Sequence, residues 1–276
     1  MGRKIIRRRV IRATRDGGWR PREERLAGEE PLEIRFGYTS YTTSMRTPGD
    51  DFDMVAGFLV GEGVIRQADQ LVSMRYCAGT DEEGNQTFNV IEVQLGPGAT
   101  PPDLAAARNV VTSSACGICG TNSIDEVRKK AGFELDSGTG IIELGTLLDL
   151  PDTLRESQQL FSSTGGVHAA GLFSATGELL ILREDVGRHN AVDKVIGAAL
   201  RAGMLPLHDA VLQVSGRASF ELVQKAVMAG IGLLTAVSAP SSLAVDLAEE
   251  AGLTLAAFSR NHSVNIYTHA HRVIKA

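Results

Sequence analysis

From residue 168 to residue 260 the chain alternates short apolar runs with amphipathic stretches, and that alternation restricts the fold more than any other feature of the sequence. Apolar runs at 171–174 and 179–183 flank SATGE and predict a hairpin, and runs at 210–214, 233–237 and 254–258 predict further strands. Between them lie helical patterns at 191–202, 220–229 and 243–251. This order predicts an α/β fold, a three-layer and mostly parallel sheet with helices on both faces. In such sheets ligands collect at the carboxyl ends of strands, where loops run into helix N-termini.

The first third of the chain reads differently. EEPLEIRFG places Leu32, Ile34 and Phe36 on one face of a strand, and TPGDDFDMVAGFLVGEGVI has Thr47 and Pro48 to start a helix and glycines to stop it. Strands are predicted at 71–76 and 88–95, followed by the linker GPGATPPD. The predicted organisation is a basic arm over 1–25, a small α+β domain over 26–105 and an α/β domain over 106–276. Two more helices are expected in the last of these. One covers 124–131, with Ser123 and Glu126 as a capping box and Gly132 as its stop, and the other covers 152–161.

The arm holds ten Lys and Arg against three acids, in a chain whose net charge is −5. It suits an acidic partner or a solvated terminus; with Trp19 as its single aromatic residue it lacks base-stacking platforms, so no nucleic acid is expected. The uncharged segment 226–245 is interrupted by Gly230, Gly232, Pro240 and the serines of SAPSS, so no membrane span is expected. A start charged from the third residue, with no apolar run behind it, fits no export signal. Three cysteines are too few for a disulfide framework, and the expected compartment is the reducing cytoplasm.

Chemistry concentrates in SSACGICGTNSIDEVRKK, where Cys116 and Cys119 form a C-x-x-C pair on a glycine-bracketed loop ahead of a predicted helix. A helix start favours the thiolate over the thiol. From the residues alone the pair is open to a structural zinc site, a thioredoxin-type redox pair, a persulfide carrier or two buried thiols. Zinc requires four ligands, and the next histidine downstream is His168. Cys77 reads as a small apolar residue in a strand. Polar loops occur at REDVGRHNAVDK, SGRASFELVQK, SAPSS and SRNHSVN. Arg188 and Arg217 each stand beside a glycine at a predicted helix start, which suits an anion, though a capped helix or a buried ion pair would use the same residues. His168 follows a double glycine, and Arg260, Asn261 and His262 crowd donors before the last strand. Neither G-x-x-x-x-G-K-[ST] nor G-x-G-x-x-G is present.

Taken together, EEPLEIRFG, TSMRTPGDD, GFLVGEGVI, SSACGICG, TGGVHAAGLF, REDVGRHNAVDKVIG, SGRASFELVQKA and SRNHSVNIYTH resemble the FdhD family of formate dehydrogenase accessory sulfurtransferases. The resemblance implies a protein that accepts persulfide sulfur from a cysteine desulfurase and transfers it to a bound substrate. That substrate is Mo-bis(molybdopterin guanine dinucleotide), or its tungsten counterpart, destined for formate dehydrogenase. It further implies that Cys116 bears the persulfide, with Cys119 beside it, and that Phe258, Ser259, Arg260, Asn261, His262 and Ser263 contact the cofactor. A cytidine-deaminase-like larger domain and a homodimer are also implied. No permanently bound metal is expected, because the H-x-E and P-C-x-x-C elements of a deaminase zinc site are missing. The competing readings are a zinc-dependent deaminase-like enzyme and a non-catalytic chaperone that binds cofactor.

Overall fold

Residues 5–27, the basic stretch, pair into a two-stranded antiparallel ribbon of β1 (Ile5–Ala13) and β2 (Trp19–Ala27). The intervening TRDGG turn is closed by Thr14 N–H donating to the Gly18 carbonyl over 2.9 Å, with Gly17 at φ 85°. The computed structural model describes residues 2–77, 79–80, 86–102, 111–112, 124–135, 142–260 and 262–275.

Beyond the ribbon come β3 (Glu30–Phe36), β4 (Thr39–Arg46), α1 (Asp51–Gly61) and β5 (Leu71–Tyr76). A short ladder of β6 (Gly79–Thr80) and β7 (Gln86–Thr87) precedes β8 (Val90–Leu95) and β9 (Val111–Thr112). A five-stranded sheet in the order β5-β8-β3-β4-β9 results. Its buried Leu32, Ile34, Ile91 and Val93 face α1, as the alternation of EEPLEIRFG predicts.

The rest of the chain runs α2 (Ile124–Lys130), β10 (Ile142–Glu143), α3 (Leu144–Ser157), α4 (Gln159–Thr164), β11 (His168–Phe173), β12 (Leu179–Asp185) and α5 (Arg188–Arg201). It continues with β13 (Val211–Val214), α6 (Phe220–Met228), β14 (Leu233–Ala236), α7 (Ser242–Ala251), β15 (Thr254–Arg260), β16 (Ser263–Ile266) and β17 (Val273–Ile274). Where one helix was expected over 152–161, two occur, broken at Gln158, and the first begins at Leu144, ahead of Pro151. Ser123, half of the expected capping box, lies outside the described residues.

The main sheet has the order β12-β11-β13-β14-β15-β16, and it is mixed rather than mostly parallel. Only β13, β14 and β15 run parallel to one another; β11 is antiparallel to both its neighbours, and β16 to β15. The cause is chain length. A parallel connection needs about a dozen residues or more, and the short links from β11 to β12 and from β15 to β16 allow only hairpins. The segment β12-α5-β13 is still a parallel crossover, but β11 inserts between its two strands.

Consecutive strand residues point to opposite faces and build two cores. Ala170, Leu172, Leu212, Val214, Leu234 and Leu255 join α1, α5, α6 and α7 on one side; Ala169, Phe173, Val211 and Leu233 meet Leu147, Leu150 and Leu154 of α3 on the other. The first core is continuous from Leu32 to Ala257. The boundary predicted near residue 105 falls outside the described residues. Where α1 meets α5 the helices touch backbone to backbone: a Cβ on Gly57 would stand 1.9 Å from the Asp193 carbonyl oxygen, and one on Gly197 1.8 Å from that of Asp53.

Candidate functional site

The three parallel strands end together, and their carboxyl ends open onto a cavity of about 470 Å³. Ser215 follows β13, Val237 follows β14, and Ser259 and Arg260 close β15; His168, the first residue of β11, lines the same space. The opposite wall is largely apolar and comes from α3, α4 and the turn after them: Pro151, Leu154, Gln158, Phe161 and Val167. Arg155 lies over the Phe161 ring, 4.0 Å from its centroid, at this wall.

Two buried polar atoms here have no hydrogen-bond partner among the described residues: the Oγ of the fully buried Ser259 and the Nε of Arg188. Arg188 is the first residue of α5 and stands close to His168 across Gly216, whose Cβ, if present, would lie 3.5 Å from His168 Nδ1 and 4.0 Å from Arg188 Cδ. Burial, and secondarily the Arg188 guanidinium, holds the His168 imidazole below its ordinary pKa. A neutral imidazole beside a guanidinium leaves the corner positive without burying two charges. Orphaned buried donors are rare in native folds, and here they suit an anionic ligand with oxygens to offer.

The α5 start is held by Asp185, whose buried carboxylate accepts from Gly187 N–H (2.8 Å), Asn190 Nδ2 (3.0 Å), Thr47 N–H (3.0 Å) and Lys194 Nζ (2.7 Å). Lys194 Nζ also donates to the Thr47 carbonyl over 2.9 Å. The TSMRTPGDD motif thus reaches the site through its backbone, fastening the turn from which Arg188 projects. Ser215 Oγ accepts from Ala169 N–H at 2.9 Å and ties the mouth of β13 to β11.

Of the predicted residues, the fold gathers His168, Ser259 and Arg260 on the cavity wall, with Arg188 adjoining. Arg217 is exposed two residues beyond Ser215, and His262 and Ser263 lie exposed at the β15–β16 turn; none of these three lines the cavity. Phe258 is 39% exposed at φ 53°, where a register shift in β15 turns its side chain away from the buried Ser259. Cys116, Cys119 and Asn261 lie outside the described residues. Sequence reasoning missed the α3–α4 wall and Ser215, and the apolar wall carries no signal beyond ordinary helical periodicity. Asp185, Asp193 and Lys194 around the R-H-N run read in the sequence either as a ligand-binding cluster or as a capped helix start with satisfied polar groups, and Asp185 caps the turn. Among the described residues no three His, Cys, Asp or Glu side chains group to hold a metal ion. None of the described helices is long and apolar enough to cross a membrane.

These features define a mixed α/β protein with an anion-suited cavity at the carboxyl ends of its parallel strands. Comparison with known proteins narrows the class: residues 27–274 match the family model FdhD/NarQ, and the chain belongs to that family. It is 57% identical over 272 residues to a sulfur carrier protein FdhD from Nocardia farcinica, covering 99% of this chain and 96% of the relative. A sulfur carrier protein FdhD from Thermoplasma volcanium is 41% identical over 96% of this chain and 95% of its own. Among solved structures, a protein described as a formate dehydrogenase accessory protein from Desulfotalea psychrophila superposes with a TM-score of 0.75 at 25% identity, covering 99% of this chain and all of the other.

Proposed function

We propose that this protein is a sulfur carrier for formate dehydrogenase maturation, taking sulfur from a cysteine desulfurase and delivering it to a molybdenum or tungsten bis-guanine-dinucleotide pterin as bound substrate. The carrier half is supported by the C-x-x-C pair and by the names of its relatives. The observation that carries the ligand half is the fully buried Ser259 hydroxyl, without a partner among the described residues, in a cavity with Arg260 and near the similarly unpartnered Nε of Arg188. A pyrophosphate supplies oxygens for both, and the apolar α3–α4 wall accommodates a planar ring.

The sulfur step follows from thiol chemistry. The Cys116 thiolate attacks the outer sulfur of a desulfurase persulfide, the desulfurase cysteine departs as a thiolate, and Cys116 becomes the persulfide. When Cys119 attacks the inner sulfur, the outer one leaves as sulfide toward the substrate metal. The resulting Cys116–Cys119 disulfide is then reduced by a thiol reductant before the next cycle.

Mass spectrometry after incubation with desulfurase and cysteine is the test. An adduct of one sulfur atom on Cys116, lost in Cys116→Ala together with formate dehydrogenase activation, is expected; activation by Cys116→Ala overturns the reading. For the cavity, Arg188→Ala and Arg260→Ala are each expected to weaken guanine nucleotide binding roughly 10- to 100-fold, since a charge-assisted hydrogen bond contributes about 1.5–3 kcal/mol. Unchanged affinity in both places the ligand elsewhere.

A further inference from the structure

Taking the cavity as the guanine nucleotide site of the preceding section, we propose that Gln158 reads the base, pairing through its carboxamide with the adjacent N–H and C=O of the guanine ring. Gln158 stands at the break between α3 and α4, with φ −77° and ψ 85°. Its backbone is engaged on both sides: the N–H donates to the Arg155 carbonyl over 3.3 Å, and the carbonyl accepts from Ser162 N–H at 3.1 Å and from Ser162 Oγ at 2.7 Å. Its side chain is not. The residue is 3% exposed and lines the cavity, and its carboxamide has no hydrogen-bond partner among the described residues.

Helical spacing turns this residue inward. Pro151, Leu154, Arg155, Gln158 and Phe161 recur at three- and four-residue intervals and all line the cavity, so they share one face of the α3–α4 segment. Asp152 and Arg155 on this wall are exposed, which leaves Gln158 as its buried polar group. A buried amide without a partner costs the fold stability, and native structures hold few of them. One that opens into a cavity suits a ligand that donates and accepts at neighbouring atoms.

A carboxamide presents an acceptor beside a donor. Guanine presents the complement, N1–H beside the C6 carbonyl, so Gln158 Oε1 accepts from N1–H while Nε2 donates to O6. A pterin carries the same N–H and C=O edge, and the donors at Ser259, Arg188 and Arg260 select the nucleotide, because it brings phosphate oxygens as well. The flanking side chains suit a flat ring. Arg155, three residues before Gln158, lies 4.0 Å from the centroid of Phe161, three residues after it, and guanidinium and aromatic planes both stack on bases. The volume of about 470 Å³ falls within the roughly 300–1,000 Å³ of small-ligand sites and gives room for one nucleotide. The pairing leaves the 2-amino group of guanine unread, so hypoxanthine satisfies it equally.

The experiment is calorimetric titration of the full-length chain with GDP, IDP, pyrophosphate and 6-hydroxymethylpterin. The wild type is expected to bind GDP and IDP with affinities within about 3-fold of each other. Gln158→Met keeps the volume and removes the amide; it should weaken GDP and IDP about 10- to 100-fold, the loss of two neutral hydrogen bonds, and leave pyrophosphate binding as it was. Gln158→Glu, measured at pH 8 to keep the carboxyl ionised, accepts from both N1–H and the 2-amino group, so GDP should outbind IDP by about 10-fold. Arg260→Ala should weaken pyrophosphate and GDP alike, so a failure of the phosphate corner is read separately from a failure of base reading. A GDP affinity unchanged in Gln158→Met, a loss that pyrophosphate shares, or equal GDP and IDP affinities in Gln158→Glu overturns the proposal. Pterin binding that depends on Gln158 while GDP binding does not assigns the ring to the pterin and overturns it as well.

Discussion

Two regions of this protein are built from the same charged residue types and use them in opposite ways. At the seam joining α1, β4, β12, α5 and α6, Arg46, Asp51, Asp53, Asp185, Asp193, Lys194 and Lys225 are all buried, and each meets an opposite charge. Arg46 is 0% exposed, reaching Asp51 at 3.0 Å and the Phe88 carbonyl at 3.1 Å, while Tyr76 donates to Asp51 over 2.9 Å. Burial, and then the neighbouring Asp51 carboxylate, raises the Tyr76 hydroxyl well above its ordinary pKa. In the β1–β2 ribbon the charges stand in water, and most have no opposite charge beside them among the described residues. Buried pairs specify geometry because leaving one partner alone is costly, whereas exposed charges govern encounter and solubility and add little to stability. A charged side chain therefore has two meanings in this chain, and environment separates them.

The largest effect that would break this contrast is at the helix crossing of the seam. Gly197→Ala puts a methyl 1.8 Å from the Asp53 carbonyl oxygen, so α5 must move bodily from α1. We expect a loss of about 4 kcal/mol or more in denaturant unfolding; a shift under about 1 kcal/mol would mean the helices are not in backbone contact. Next comes Lys194→Met, which keeps the volume but strands the buried Asp185 carboxylate, at a cost of about 3 kcal/mol. Because Asp185 also holds the turn before Arg188, guanine nucleotide binding should weaken in the same variant, and binding that stays intact would separate seam from site.

A smaller effect concerns pH. His168 has its pKa lowered in the fold, so it is neutral near pH 7 and takes up a proton more readily once unfolded. Stability from this group is present above the unfolded value of about 6.5 and declines as pH falls below it. An anionic ligand acts in the other direction: it favours the imidazolium, so nucleotide affinity measured by calorimetry should rise several-fold between pH 7.5 and pH 5.5. His168→Phe should abolish that rise, and a rise retained in the variant would assign the proton elsewhere. At the ribbon, Arg7→Ala removes a surface ion pair of 3.5 Å whose partners are both about two-thirds exposed, and the stability of the chain should change by no more than about 0.5 kcal/mol. A larger loss would mean that the ribbon behaves like the seam.

Most elements were legible because their periodicity is local. Leu32, Ile34 and Phe36 alternate, SATGE marks a turn, and the glycines of GFLVGEG stop α1, so strand, hairpin and helix follow from spacing alone. Strand direction was less so. The predicted hairpin and the predicted crossover were each correct, but their combination places β11 between β12 and β13, and strand order depends on packing that no single segment contains. At the site, Arg188, His168 and Arg260 were readable as donors on strand-end loops. Arg217 carried the same signal, yet it points to solvent, because a glycine–arginine pair shows that a helix can start there and not which way the side chain leaves it.

By itself the sequence determined the elements, the C-x-x-C chemistry on offer and the uneven charge, since these depend on neighbours a few residues apart. The tertiary structure decided which charges are buried, which donors were left without partners around Ser259 and Arg188, and that a basic stretch became a ribbon with Ile11 and Trp19 exposed. Desolvation is the physical reason. The cost or value of a polar group is set by how much water its surroundings exclude, and that depends on residues more than a hundred positions away, as Thr47 is from Asp185.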